Sequence, residues 1–164
     1  MLNPASTIGK LLSTLPQTGT VTWIGVRPAR RAEPLVLEQV SANPKVGLEG
    51  DHYASKTSDK RQVTLINEEH IAAIASMLGQ ETVEPALLRR NIVVRGINLL
   101  ALKDRKFQIG SAVLEGTGEC HPCSRMEENL GPGGYNAVRG HGGITARVVQ
   151  EGVIRVGDGV VAYP

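Results

Sequence analysis

"FQIGSAVLEGTG", residues 107–118, is the stretch on which the fold turns. Apolar residues alternate with polar or small ones in short runs broken by glycine, the two-residue period of a strand with one face in a core. "ITARVVQEG" (144–152) and "VIRVGDGVVAYP" (153–164) read the same way, with Gly157-Asp158 as a turn signal between runs. The second half of the chain is therefore expected to be almost wholly β. Upstream, "TVTWIGVRP" (20–28) is a β-branched run stopped by Pro28, and "LVLEQVSA" (35–42), "RQVTLIN" (61–67) and "NIVVRG" (91–96) are further strand candidates.

The period changes once. In "NEEHIAAIASMLG" (67–79), Ile71, Ile74, Ala75 and Leu78 share a helical face. Asn67 suits the N-cap, Glu68 and Glu69 the first turn, and Gly79 the stop. "VEPALLRR" (83–90) allows a second, short helix with Pro85 in its first turn. Residues 1–19 read as an arm or short helix. These elements predict a mainly β fold, a barrel or folded-over sheet, with one or two short helices.

The bulk numbers set the frame. With 164 residues, 41% of them hydrophobic, one domain over 1–164 is expected. A net charge of +2 and five aromatic residues give neither the field nor the stacking platforms of a nucleic-acid binder. No run approaches the ~18 apolar residues of a membrane span, and the opening "MLNPASTIGKLLSTLPQTG" lacks the apolar core of a secretory signal. The expected place is the cytoplasm, where two cysteines stay as free thiols.

Both cysteines fall in "GECHPCSRM" (118–126), as Cys120 and Cys123 with His121-Pro122 between them. A structural zinc site needs about four ligands. Only one Cys-x-x-Cys pair exists, and His52, His70, His121 and His141 are scattered, His70 on a helix surface. A dithiol redox motif would need to open a helix, which "SRMEENL" allows. A single working thiol on a polar loop is the third reading, with its thiolate favoured by Arg125. Beyond it, "GPGGYNAVRGHGGI" (131–144) carries six glycines. Asn136 breaks the dinucleotide fingerprint, and no Gly-Lys-Ser/Thr follows. It is either a flexible connection or a loop whose backbone N–H groups, with Arg139 and His141, approach an anion.

Taken in order, "GLEGDHYA", "KRQVTLIN", "LLRRNIVVRG", "FQIGSAVLEGTGECHPCSRME", "GHGGITARVV" and "GVIRVGDGV" resemble the MOSC domain, named from the C-terminal domain of molybdenum cofactor sulfurases. The resemblance runs from about Gly47 to Val160. It implies a β-barrel-like domain that binds molybdenum cofactor through a cysteine. That cysteine acts as molybdenum ligand or persulfide carrier, in some members for the reduction of N-hydroxylated compounds. The family cysteine maps to Cys123, leaving Cys120, Asp51 and His52 accessory. Arg90, Asn91 and Arg147 are expected to hold the anionic end of the cofactor, with Arg125, Arg139 and His141 beside them. Pyridoxal phosphate belongs to a different domain of the sulfurases and is not expected in this chain. An electron-donor or sulfur-donor protein is the implied partner. The other readings are a non-catalytic carrier of cofactor or sulfur and a Cys-x-x-Cys redox protein.

Overall fold

The alternating runs pair around a closed ring in the computed structural model, which describes residues 2–52 and 58–163. The strands are β1 (Gly19–Val26), β2 (Leu35–Leu37), β3 (Gln39–Asn43), β4 (Gly47–Leu48), β5 (Val63–Asn67) and β6 (Ile92–Arg95), followed by β7 (Lys106–Ile109), β8 (Ala112–Glu119), β9 (Ile144–Gln150), β10 (Gly152–Arg155) and β11 (Gly159–Ala162). The ring runs β1–β6–β5–β9–β8–β7–β11 and closes where Gly19 and Thr20 pair with Val160 and Gly159. Closure removes the free edges that an open sheet would expose. β2 extends the far end of β1, while β10, β3 and β4 form a separate small sheet.

The run 35–42 thus divides into two strands belonging to different sheets. The helices are α1 (Thr7–Ser13), α2 (Glu68–Met77), α3 (Ser124–Leu130) and α4 (Gly134–Val138). The expected helix at 83–90 is a single 3₁₀ turn, Pro85–Leu88. Four short helices among the described residues exceed the one or two expected.

Two faces of the wall are buried, in different company. Val21, Ile24, Leu65, Ile92, Val94, Phe107, Leu114, Ile144 and Ala146 fill the barrel. The alternate positions Ile66 and Val93 point outward, under Ile71, Ile74 and Ala75 of α2, Met126 of α3 and Val138 of α4. The covered wall contains the parallel pair β5–β6, joined by the crossover through α2. A strand buried on both faces reads as a continuous apolar run, as "IVV" does in β6.

Asn67 is the N-cap residue of α2 but makes no capping bond. Its side chain is buried instead and bridges the barrel rim. Nδ2 donates to Ile97 O (2.7 Å) and Val94 O (3.3 Å), and Oδ1 accepts from Leu99 N (3.0 Å). α1 has a Ser6 cap and no buried residue. No described helix is long and apolar enough to cross a membrane.

This arrangement makes opposite predictions for two apolar residues. Phe107 is fully buried in the barrel, so Phe107→Ala is expected to lower unfolding free energy by about 3–5 kcal/mol. Ile8 in α1 is 56% exposed, so Ile8→Ala should stay within about 0.5 kcal/mol of wild type. Urea denaturation of both variants measures the difference.

Candidate functional site

The cysteine motif is the exit of β8. The chain leaves the barrel at Glu119, passes Cys120-His121-Pro122-Cys123 and enters α3, of which extended Cys123 is the N-cap residue. The two thiols have different surroundings. Cys123 is exposed and Cys120 is buried, at 3%. Backbone contacts impose this difference. Cys120 N–H donates to Gly143 O (2.8 Å), and Cys120 O accepts from Arg90 Nη2 (3.3 Å).

Arg90 is the centre of this seam. It is buried (7% exposed), with Nε donating to Gly142 O at 2.8 Å and Nη1 to Leu88 O at 3.0 Å. Its guanidinium ties the motif, the end of the Gly-rich segment and the turn before β6 together. A buried cation is tolerated only when such bonds replace its water. The two glycines facing it are obligatory for contact. A Cβ on Gly142 would lie 2.0 Å from Cys120 O, and one on Gly143, at φ +88, would lie 1.8 Å from Leu65 O. Arg90 is therefore a clasp within the fold, and its contacts are not those of an open anion ligand. Asn91 is likewise built in. Its Oδ1 accepts from Thr64 N (3.0 Å) and its Nδ2 donates to Gly25 O (3.1 Å), locking the two neighbours of β6.

The other expected site residues spread over the surface. Arg125 ion-pairs along its own helix with Glu128 at 3.5 Å. Arg147 lies on the outer face of the barrel, directly opposite Glu115 on the neighbouring strand. It pairs with that residue and with Asp59 (3.6 Å). Exposed Arg139 donates to Asn136 Oδ1 at 3.3 Å. Asp51 accepts from Arg27 N (2.9 Å) at the end of β1, and His52 is exposed beside it. Tyr53 and Ala54, the last residues of "GLEGDHYA", lie outside the described residues.

The Gly-rich stretch is not a flexible connection, since it contains α4. Two of its N–H groups are already taken by a carboxylate. Glu127 Oε2 accepts from Gly133 N (3.0 Å) and Oε1 from Tyr135 N (3.1 Å). These bonds, Tyr135 first, hold the Glu127 carboxyl below the usual carboxylate range.

Three residues join the site without having been singled out for it by the sequence. Arg61 Nη2 lies 4.0 Å from Cys120 Sγ, so a cation faces the buried thiol. Asn67 and His70 line a recess of about 40 Å³ together with Cys120, His121, Pro122 and Gly142. The same two residues also border a wider depression of about 400 Å³ that reaches Leu15, Glu69 and Ile97. His70 meets His141 edge to face, with centroids 5.5 Å apart. His141 Nδ1 is 2.9 Å from Arg139 O, a pure acceptor, so this nitrogen carries the proton. Burial first, then the neighbouring His141, pushes the His70 pKa below its ordinary 6.5, while Glu69 opposes. No group of three or more His, Cys, Asp or Glu among the described residues can hold a metal ion.

A family model described as "MOSC domain" matches residues 52–161. No curated protein matches the chain. The chain is similar in structure to the YUAD protein from Bacillus subtilis, with a TM-score of 0.78 at 18% identity, covering 92% of this chain and all of that one. It is also similar to YiiM from Geobacillus stearothermophilus (TM-score 0.71, 17% identity, 89% of this chain and 75% of that chain) and to YiiM from Escherichia coli (0.67, 15%, 88% and 70%). At these identities the likeness concerns the fold.

Arg90→Met should orphan the carbonyls of Leu88, Cys120 and Gly142. At roughly 1.5–3 kcal/mol for a charge-assisted bond, the thermal midpoint is expected to fall by about 5–10 °C. Calorimetry on the variant checks this. A second expectation concerns pH. With its folded pKa depressed, His70 binds fewer protons folded than unfolded, so its contribution is present above about pH 6.5 and lost as pH falls below that. Thermal midpoints between pH 7.5 and 5.5 should therefore fall less steeply in His70→Gln than in wild type.

Proposed function

The chain belongs to the MOSC domain family, and from that premise we propose that it works through the Cys123 thiolate, as a carrier of a sulfur atom or as a ligand to the molybdenum of a pterin cofactor. The inequality of the two cysteines carries the reading. Cys123 is exposed on a polar turn, while Cys120, 3% exposed, is enclosed between Arg90 and Arg61. An exposed thiolate can be reached from solvent by a sulfur donor or a metal, whereas the enclosed thiol is reached only when the motif opens.

The residues suit the cofactor in part. A soft thiolate suits molybdenum. Arg125 and Arg139 hold exposed partners that an anionic group could displace, since such surface bonds contribute about 0–1 kcal/mol. The 40 Å³ recess is of water size, and the wider depression of about 400 Å³ beside it carries the Glu69 carboxylate. Cys123 lines neither space. When bound, the cofactor would supply oxygen-atom transfer, with reduction of N-hydroxylated compounds as the family's case and an electron-donor protein as the partner.

Sulfur carriage asks less of the geometry. The Cys123 thiolate attacks the outer sulfur of a donor persulfide, the donor S–S bond breaks and the donor leaves as a thiolate. The sulfur remains on Cys123 until an acceptor takes it. An exposed thiol on a rigid support is sufficient for both steps. Whether the acceptor is a small molecule or a partner enzyme separates a catalyst from a carrier module.

The test is intact-mass measurement after exposure to polysulfide. Addition of sulfur is expected in wild type and Cys120→Ser and absent in Cys123→Ser. Equal loss in both variants would overturn the assignment in favour of the dithiol. In parallel, elemental analysis of protein made in a cofactor-competent host separates the two forms of the proposal. Stoichiometric molybdenum that disappears in Cys123→Ser would make the cysteine a metal ligand.

A further inference from the structure

On the outer wall of the barrel, away from the cysteine motif, α2 and the segment before the 3₁₀ turn overhang the sole tryptophan. Trp23 lies on β1, half-buried, with its benzo ring laid over its own strand. A Cβ on Gly25 would lie 2.2 Å from the ring. Only glycine at position 25 leaves room for the indole to lie flat there. The ring forms part of a cavity of about 300 Å³, at the lower end of small-ligand sites. Ile71, Ala75, Val83 and Val93 supply apolar surface, and two carboxylates, Glu68 and Glu81, stand among the lining residues.

The charge at this site is one-sided. No Lys, Arg or His lines the cavity. Among the described residues neither Glu68 nor Glu81 enters an ion pair or a side-chain hydrogen bond. Arg95 borders the next depression along with Glu68 but makes no ion pair with it, and it does not reach Glu81. An aromatic ring, an apolar floor and unpaired carboxylates recognise one chemical class well, an organic cation with an apolar body. The ring attracts the cation through its quadrupole, the carboxylates through charge, and the floor takes the hydrocarbon.

We propose that this cavity is a binding site for a small organic cation, an aryl- or alkylammonium, separate from the cysteine site. An anion would meet two carboxylates there, and a neutral apolar molecule would leave them unused. The site does not depend on the chemistry assigned to Cys123.

Tryptophan occurs once in the chain, so its fluorescence reports this cavity directly. Wild-type protein is titrated with benzyltrimethylammonium and, separately, with its uncharged isostere neopentylbenzene at soluble concentrations. A saturable change with the cation is expected, weaker for the neutral probe by roughly 3- to 30-fold, the range of a cation–π contact. Glu81→Gln should weaken cation binding more than Glu68→Gln, because Arg95 already neighbours Glu68. Both positions are exposed, so folding is not at risk. Cys123→Ser should bind as wild type. No saturable response to the cation, an equal response to the neutral isostere, or unchanged affinity in Glu81→Gln would each overturn the proposal.

Discussion

A single buried guanidinium holds the barrel together where the cysteine motif leaves it. Three segments far apart in sequence meet at Arg90: the 3₁₀ turn before β6, the exit of β8 and the entry of β9. Each brings a backbone carbonyl with no partner in a regular ladder, and such groups are costly when left buried and unpaired. A cation in the same seam would also be costly alone. Each solves the other's problem. The glycines at 142 and 143 are the steric condition for it, since any side chain would strike the Cys120 or Leu65 carbonyl.

The different fates of the two cysteines follow from that clasp. With Cys120 fixed through its N–H and its carbonyl, its thiol is buried at the small recess with Arg61 beside it. Three residues later the chain is already outside, and Cys123 starts α3 with its side chain exposed. The support behind α3 is firm, because Met126 and Leu130 are buried against the outer wall of the barrel. A rigidly placed, accessible thiol results, without demands on oligomerisation or on a deep pocket.

Much of this was legible in the sequence, and the rest was not for identifiable reasons. Most strands could be read because one face lies in the barrel and imposes alternation, and β6 because burial on both faces makes it a continuous apolar run. α2 could be read because its buried Ile71, Ile74 and Ala75 keep the helical period. The segment "SRMEENL" was expected to allow a helix and is α3. α4 is not legible because glycines dominate its surroundings, and its start is secured by the side-chain carboxylate of Glu127 on the preceding helix. The roles of Arg90 and Asn67 could not be read either. Most of their partners are backbone carbonyls and amides of segments distant in sequence, and a backbone group leaves no signature in a sequence. Of the arginines read as anion ligands, Arg90 is engaged with backbone carbonyls and Arg147 with the Glu115 side chain across the strands.

The account rests on a clasp that encloses one thiol and leaves the other outside, and alkylation kinetics read this most directly. Native protein is treated with iodoacetamide, and the two cysteines are quantified separately by peptide mass spectrometry. Cys123 is predicted to react at the rate of an accessible thiol, and Cys120 only as fast as the motif opens, slower by on the order of a hundredfold. Comparable rates at the two positions, or faster labelling of Cys120, would contradict the account.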